Sequence, residues 1–359
     1  MSNKKDLFPH LIDLDDLSIP RLQGILNTAR VIMNKPEYFC DSCHGKILAT
    51  LFYEPSTRTQ MSFQTAMMRL GGKVIGFDNP GNSSVSKGES LKDTIRVISN
   101  YSDIIAIRHP REGAAKAASM FSCCPVINAG DGGHLHPTQT LTDLFTLSET
   151  HGSLSGLTIG LCGDLKNGRT VHSLVKTLSR FKNNKFILIS TSELSIPGYI
   201  REIMDANKCK YSVSNSLIDA IGELDVLYMT RIQKERFESE KEYENQKGVF
   251  VLNTEKMRYA KRDLKVLHPL PRIDEIEYEV DDDPRAVYFE QTKYGMYARM
   301  ALILFMLENT ENKLLPRPES NSAENCKNQN CITNSEIYLP KLFTNGNMNI
   351  CDYCDYEEK

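Results

Sequence analysis

The chain lacks the segments that would send it to or across a membrane. Its longest apolar stretch, near Met300 to Leu307, is far too short to span a bilayer. The polar, charged residues from Met1 to His10 contain no apolar core of a secretion signal. We therefore expect a cytoplasmic location and no membrane partner.

The chain also has no excess of charge of either sign. It carries 43 Lys and Arg against 46 Asp and Glu in 359 residues, a net charge of −3. A near-neutral balance gives no electrostatic argument for nucleic acid or an anionic surface as a partner. Any basic binding site must therefore be local.

Cysteines are few until the end of the chain. There are ten, and in a cytoplasmic protein they are expected to be reduced thiols or metal ligands. The last four form two close pairs separated by 19 residues: Cys326 with Cys331, and Cys351 with Cys354. Two such pairs predict a closed zinc site of four thiolates, with four unrelated thiols as the alternative. The spacing Cys40-x-x-Cys43 has no second pair and favours ordinary thiols.

Short apolar runs alternate with longer helical patterns along most of the chain. This alternation predicts parallel sheets, and the number of strands is enough for two doubly wound α/β domains. The predicted strands are Lys46–Phe52, Lys73–Phe77, Asp103–Arg108, Pro125–Ala129, Leu157–Cys162, Lys185–Ile189, Asp225–Met229, Phe250–Leu252 and Lys265–Leu267.

Two helices, Thr138–Thr150 and about Gly295–Glu311, are expected to join these domains. A Pro-rich polar linker follows them, and beyond it the composition changes to Cys, Asn and Tyr. The predicted boundaries are 1–137 and 138–294 for the α/β domains, 295–312 for a helix returning to the first domain, 313–322 for the linker, and 323–359 for a small β-rich, zinc-binding domain.

The sharpest motif is Ser56-Thr57-Arg58-Thr59, where a strand ends and a helix begins. In open α/β sheets ligands bind at the carboxyl ends of strands, and free N–H groups at a helix start favour an anion. Arg58 can add bidentate hydrogen bonds to a phosphate. An ordinary helix cap beside a surface arginine is the plainer alternative.

Other strand ends carry polar or cationic sequences too, which disfavours that plainer alternative. These sequences are Arg108-His109-Pro110, His136-Pro137-Thr138-Gln139, Asp164–Thr170, Thr230-Arg231-Ile232-Gln233 and His268-Pro269-Leu270-Pro271-Arg272.

In this order the motifs resemble the aspartate carbamoyltransferase family, catalytic chain, over about Leu7 to Glu311. The resemblance implies transfer of the carbamoyl group of carbamoyl phosphate to L-aspartate, an early step of pyrimidine synthesis. It also implies that residues 1–137 bind carbamoyl phosphate and residues 138–294 bind aspartate. The reaction needs positioning and charge stabilisation, and no redox or organic cofactor.

The resemblance assigns roles to single residues. Ser56, Thr57, Arg58 and Thr59 would hold the phosphate, and Thr59, Arg108 and His136 would surround the carbonyl oxygen. The carbamoyl NH₂ would be bound by Gln139 and by the backbone carbonyls of Pro269 and Leu270. Both carboxylates of aspartate would meet Arg169, Arg231 and Gln233. Taken singly, His136 could be a core histidine and the two arginines surface charges.

The loop Asn79–Glu89 looks like an ordinary solvated surface loop. In the family it reaches into the site of a neighbouring subunit, and Ser83 and Lys87 match the residues that do so. The resemblance thus implies a homotrimer with shared active sites. It also assigns Glu54, Arg169 and Arg236 to holding the domains closed, while Gln60 departs from an arginine that is frequent in the family.

The last part of the chain resembles the zinc domain of the family's regulatory chain, fused here without a nucleotide-binding domain. From Lys313 to Lys359 there are five basic and seven acidic residues, the wrong sign for nucleic acid. We expect this part to make an oligomer contact, which could extend a trimer into a higher oligomer.

Two other functions stay open. An ornithine-type carbamoyltransferase would typically carry Cys after His268, where this chain has Pro269, and Arg169 with Arg231 suits a dicarboxylate better. An inactive homologue could act as an interaction module through its last domain, although intact Arg58, Lys87 and His136 argue against decay.

Overall fold

The structure is a computed structural model that describes residues 10–232, 237, 239–309, 318–344 and 349–358. The described residues of Met1–Thr138 and Met296–Lys359 form one compact unit, and Gln139–Gly295 form a second. Among the described helices, none is long and apolar enough to cross a membrane.

The first unit is built on a four-stranded parallel sheet in the order β2-β1-β3-β4. Because the order winds outward in both directions from β1, this sheet is doubly wound. Its strands are β1 (Ile47–Phe52), β2 (Lys73–Phe77), β3 (Ile104–His109) and β4 (Val126–Asp131), and the helices up to β4 are α1 (Ile19–Asn34), α2 (Thr57–Arg69), α3 (Leu91–Ser99) and α4 (Ala114–Ser119).

In the sequence after Thr59, the apolar residues Phe63, Ala66, Met67 and Leu70 recur at i, i+3, i+4 and i+7, which predicts a helix that ends at Gly71-Gly72. Helix α2 confirms this prediction. Phe63, Ala66 and Met67 are fully buried on one face. The helix ends before Gly71, which has a φ of +82°. A Cβ at Gly71 would lie 2.4 Å from the carbonyl oxygen of Cys40, so glycine is required both by the backbone and by the close approach.

The second unit is built on a five-stranded parallel sheet in the order β7-β6-β5-β8-β9, which is again doubly wound. Its strands are β5 (Thr158–Cys162), β6 (Lys185–Ile189), β7 (Lys210–Ser214), β8 (Val226–Met229) and β9 (Lys265–Leu267), and the remaining helices are α5 (Pro137–His151), α6 (Arg169–Leu178), α7 (Gly198–Ala206), α8 (Leu217–Ile221), α9 (Glu240–Gln246), α10 (Thr254–Met257) and α11 (Tyr288–Asn309). Two of them, α5 and α11, carry the chain from one unit to the other.

The strand prediction was wrong at two places in the second unit. Phe250–Leu252 is not a strand of the sheet, since only Leu252 pairs, in an isolated bridge with Ile276. Phe250 and Leu252 are instead buried in a core cluster that includes residues of the sheet. The edge strand β7 was not predicted, because it has no buried residue, with even Val213 exposed, and its sequence is largely polar. Helix α11 begins at Tyr288, well before Gly295.

Residues 318–344 and 349–358, here called the tail, form a small antiparallel sheet of β10 (Phe343–Thr344), β11 (Asn349–Cys351) and β12 (Glu357–Glu358). The tail shares a hydrophobic core with the first unit. Ile332, Leu339 and Tyr353 of the tail belong to the same buried cluster as Ala118 and Phe121. The tail is therefore packed onto its own chain by apolar burial.

Backbone pairing reinforces this contact. The N–H of Glu112 donates to the carbonyl of Asn330 at 3.0 Å, and the N–H of Ile332 donates to the carbonyl of Glu112 at 2.9 Å. The side chain of Asn328 donates to the Glu112 carboxylate at 2.6 Å. Lys116 on α4 donates to the carbonyl of Asp352, also at 2.6 Å. Apolar burial alone is not directional, so these hydrogen bonds fix the orientation of the tail on the first unit.

Gly113 of the first unit lies where Tyr353 of the tail approaches the backbone closely. Its φ is +81°, and a Cβ there would lie 2.6 Å from both the Cβ and the carbonyl oxygen of Tyr353. We expect Gly113→Ala to destabilise the protein by about 2 kcal/mol and to loosen the tail, because backbone strain and a clash act together. Thermal unfolding and amide exchange of the tail would measure this.

Gly45→Ala is the matched control. Gly45 has a φ of +75°, and a Cβ there would meet nothing within 4 Å. It should therefore show the strain without the clash. Equal losses of stability in the two variants would contradict a tight approach of Tyr353 to Gly113.

Candidate active site

The motif Ser56-Thr57-Arg58-Thr59 begins helix α2 just beyond the end of β1. Ser56 is the N-cap, and its side chain makes no capping hydrogen bond to the helix. The first N–H groups of a helix have no partner within the helix, and the dipole there is positive. Arg58 is exposed and Thr59 is buried. The geometry is thus that of an anion site.

Arg108 lies at the same edge of the sheet because β3 is the neighbour of β1. The ladder sets Arg108 opposite Phe52, and the N–H of Tyr53 donates to the Arg108 carbonyl at 2.8 Å. The side chain of Arg108 is 12% exposed, and its Nε lies 2.7 Å from Oε1 of Glu54. This ion pair fixes the guanidinium beside the start of α2.

His136 completes a cluster with these two residues. Its Nε2 lies 3.3 Å from Nη1 of Arg108, and its ring is buried. The backbone passes close to both side chains at Gly130, where a Cβ would lie 3.3 Å from Arg108 Nη1. The φ of Gly130 is +122°, which also favours glycine. The structure therefore brings Glu54, Arg108 and His136 together.

A buried carboxylate that the sequence did not single out shapes the turn leading to His136. Asp131 accepts hydrogen bonds from the N–H of Gly113 at 2.8 Å and of Leu135 at 3.1 Å. It also contacts His134 Nδ1 at 3.1 Å. Burial alone would lower the pKa of His134, but Asp131 and Asp355 raise it to about 10. A Gly-rich turn around an acidic residue was the only sequence signal for Asp131.

The turn that follows Arg108 is held by a neutral histidine. Burial lowers the pKa of His109 to about 4, so its ring is uncharged near pH 7. Its Nδ1 accepts the N–H of Arg111 at 2.9 Å, and its ring lies 4.7 Å from that of Tyr53 between centroids. These contacts therefore fix the direction in which the chain continues after β3.

Ser83 and Lys87 lie in a loop of two short 3₁₀ turns, Pro80–Asn82 and Ser84–Lys87. The hydroxyl of Ser83 donates to the carbonyl of Pro80 at 2.9 Å and accepts the N–H of Val85 at 3.3 Å. Lys87 is exposed at the end of the second turn. Hydrogen bonds within the loop hold its shape, and Lys87 is exposed to solvent on it.

In the second unit, Arg169 and Arg231 follow neighbouring strands. Arg169 begins α6 after β5, and Arg231 follows β8, which pairs with β5 so that Cys162 stands opposite Met229. Both arginines are half-buried. Two arginine residues therefore lie at one edge of this sheet. Gln233 and Arg236 lie outside the described residues.

Gln139 is bound to a second carboxylate that the sequence did not single out. Its side-chain nitrogen donates to Asp143 at 2.8 Å, one turn further along α5. Asp143 is fully buried and also accepts from Tyr228 at 3.0 Å and from Gln291 at 2.6 Å. An aspartate inside a helix carries no sequence signal for this role, because its partners come from distant elements.

Pro269 and Leu270 follow β9, and the peptide bond between Leu270 and Pro271 is cis. His268 orders this turn, accepting the N–H of Leu270 on Nδ1 at 2.7 Å and pairing with Glu275 through Nε2, also at 2.7 Å. Burial would raise the pKa of Glu275, but His268 and nearby backbone N–H groups lower it. The turn is held by a buried hydrogen bond between His268 and Glu275.

The four tail cysteines come together in a buried cluster. Their Sγ atoms all lie within 4.8 Å of one another. Cys326 and Cys354 are 3.7 Å apart, and Cys331 and Cys351 are 3.9 Å apart. A disulfide would need about 2.05 Å, whereas a tetrahedral zinc with bonds of about 2.3 Å sets its sulfurs about 3.8 Å apart. The donor set therefore fits such an ion.

Comparison with known families matches most of the chain. Residues 9–149 match the model of the aspartate/ornithine carbamoyltransferase, carbamoyl-P binding domain. Residues 155–306 match the Asp/Orn binding domain of the same family. Both matches end before the tail.

Curated relatives and solved structures agree with these matches. Aspartate carbamoyltransferase catalytic subunits of Clostridium perfringens and Clostridium botulinum are 62% and 60% identical over 299 residues, which is 83% of this chain and 97% of each relative. The catalytic subunit of M. jannaschii aspartate transcarbamoylase is 49% identical with a TM-score of 0.79, covering 84% of this chain and 98% of that one. The Trypanosoma cruzi enzyme in complex with carbamoyl phosphate and aspartate is 37% identical with a TM-score of 0.78, covering 83% and 96%.

Proposed function

The chain belongs to the aspartate/ornithine carbamoyltransferase family, and from this premise we infer that it transfers the carbamoyl group of carbamoyl phosphate to L-aspartate. The products are N-carbamoyl-L-aspartate and phosphate, in the synthesis of pyrimidines. The observation that carries this function is the cluster of Glu54, Arg108 and His136 beside the N-terminus of α2. The solved relative from Trypanosoma cruzi binds both substrates.

We assign carbamoyl phosphate to the first unit. The phosphate would be held by Ser56, Thr57, Thr59 and the α2 N–H groups, and Arg58 would stabilise the charge that grows on it as it leaves. Thr59, Arg108 and His136 would donate to the carbonyl oxygen, where negative charge develops on attack by the amine. Glu54 would keep Arg108 in place through its 2.7 Å contact.

We assign aspartate to the second unit. Arg169 and Arg231, which leave the same edge of the sheet, suit the two carboxylates, and Gln233 would join them. Gln139 and the carbonyls of Pro269 and Leu270 would bind the carbamoyl NH₂. Two guanidinium groups favour a dicarboxylate over ornithine, whose side chain is cationic.

The decisive assay measures carbamoyl-aspartate and carbamoyl-ornithine formation by the purified chain. We expect product with aspartate and essentially none with ornithine. Arg58→Ala should lower kcat by about 100-fold, since it removes a cation from the developing charge. Arg69→Ala is the control because Arg69 is exposed in the last turn of the same helix. No product with either amine would support the inactive-homologue alternative.

We propose that the chain forms a homotrimer in which Ser83 and Lys87 serve the site of a neighbouring subunit. Two features support this. Lys87 is exposed on its loop, and apolar side chains are exposed on α2 and on the edge strand β2, with Met61 60%, Met68 58% and Ile75 36% exposed. Such a surface is typical of one covered in an oligomer.

Mixing inactive variants tests shared sites. Lys87→Ala and Arg58→Ala trimers should each be nearly inactive. Reassembled together at equal amounts, they should regain wild-type chemistry in about a quarter of the sites, because random mixing in a symmetric trimer restores that share. Arg58→Ala dissociated and reassembled alone is the control. Activity no higher than in the unmixed variants would count against shared sites.

We propose that the tail cysteines hold one structural zinc ion, as in the zinc domain of the family's regulatory chain. Their sulfur separations support this, and no step of the reaction needs the metal. Cys331→Ser should lower bound zinc from about one ion per chain to well below half, and it should lower thermal stability. Cys40→Ser, at an exposed thiol, is the control for metal content. Full zinc in the Cys331 variant would exclude this ligand set.

The tail could also extend the trimer into a higher oligomer from its position on the first unit. Its acidic balance supports no role in binding nucleic acid. The ten cysteines form no disulfide, which accords with a reducing, cytoplasmic location.

A further inference from the structure

The start of helix α3 is capped by the tail. The first four N–H groups of a helix need partners from outside its own ladder. Ser90, the N-cap, provides one such partner, since its hydroxyl accepts from the N–H of Asp93 at 3.2 Å. The ladder of the helix itself begins with the N–H of Thr94, which donates to the Ser90 carbonyl at 3.1 Å. Two further donors of this turn, the N–H groups of Leu91 and Lys92, both donate to tail residues.

Those two partners are Glu336 and Tyr338. Oε1 of Glu336 accepts the N–H of Leu91 at 3.2 Å, and the hydroxyl of Tyr338 accepts the N–H of Lys92 at 2.9 Å. A carboxylate at this position also interacts favourably with the positive end of the helix dipole. The cap therefore joins a distant part of the chain to one turn of α3.

Both capping side chains are held in place. The N–H of Glu336 donates to the carbonyl of Ile332 at 2.9 Å, and Ile332 is itself bonded to Glu112. The ring of Tyr338 packs edge-on against Phe121, with 5.7 Å between centroids, and Lys92 Nζ lies 5.5 Å above the same ring. The tail thus presents two fixed acceptors to α3.

The capped turn directly follows the loop that carries Ser83 and Lys87. Only Gly88, Glu89 and Ser90 lie between Lys87 and Leu91. The N–H of Gly88 donates to the carbonyl of Val85 at 2.9 Å, and Glu89 accepts from the hydroxyl of buried Thr94 at 2.7 Å. With so short a connection, the position of the capped turn limits where Lys87 can go.

We propose that Glu336 and Tyr338 are positioning residues for carbamoyl phosphate binding. They fix the start of α3 and thereby the loop that presents Ser83 and Lys87. This inference rests on the proposed function, in which Lys87 serves the active site of a neighbouring subunit. The tail would then contribute to substrate binding through the backbone N–H groups of α3. The aspartate site in the second unit would be unchanged.

The test compares three variants of the full-length chain. In Glu336→Ala/Tyr338→Phe both acceptors are lost and the ring is kept. We expect the KM for carbamoyl phosphate to rise about fivefold, the effect of losing a helix cap, and the KM for aspartate to change less than twofold. Glu336→Gln keeps an acceptor and should retain the wild-type value. Ile337→Ser is the control, because Ile337 lies between the two residues and is 88% exposed.

Amide exchange provides a readout that does not depend on activity. Residues 83–92 should exchange faster in the double variant than in the wild type or in Ile337→Ser, while zinc content stays at the wild-type level. Unchanged exchange together with an unchanged KM for carbamoyl phosphate would overturn the proposal. So would equal increases in both KM values, which would indicate a general loss of structure.

Failure of the proposed function would look different. It would show as absence of carbamoyl aspartate with the wild-type chain, whereas the exchange of residues 83–92 would still show whether the cap fixes the loop. If the double variant loses its zinc, Tyr338→Phe alone gives the same comparison with one acceptor removed. In that variant, wild-type exchange of Lys92 would overturn the role of Tyr338.

Discussion

The parallel pairing of β1 with β3 is the constraint on which the candidate site depends. Its register sets Arg108 opposite Phe52. Arg108 therefore lies at the same edge of the sheet as the loop that leads from β1 to Ser56. A slip by one residue would turn the Arg108 side chain to the other face of the sheet. Glu54 and His136 could not then reach it. The chemistry of the first unit is thus set by a ladder of backbone hydrogen bonds.

Buried carboxylates hold candidate site residues in place in both units. Asp131 collects N–H groups from two segments and shapes the turn before His136, while Asp143 in the second unit holds Gln139. Each has several hydrogen-bond donors around it, which offsets the cost of burying a charge. These residues touch no substrate in the proposed mechanism, and their contribution is to reduce the freedom of those that do.

Much of the fold and the site could be predicted from the sequence where the signal was local. The apolar spacing of Phe63, Ala66 and Met67 predicted α2, and the polar strand ends predicted Arg108 and His136. Strand β7 was missed because an edge strand needs no apolar run, and Phe250–Leu252 was wrong because burial does not require a ladder. The roles of Asp143 and Glu336 depend on partners far away in the chain. Asp131 bonds to Leu135 in its own turn, but it also accepts from the more distant Gly113. No pattern of neighbouring residues encodes such contacts.

The shared core of the tail and the first unit bears on how this enzyme could be shortened. Cutting the chain before residue 318, to resemble relatives that match only the α/β domains, would not produce a smaller copy of them. It would expose to water a surface around Ala118 and Phe121 that the tail now covers, with the paired backbone of Glu112 at its rim. An exposed apolar surface of this kind promotes aggregation. In this chain the tail therefore covers apolar surface of the first unit that would otherwise be exposed to water.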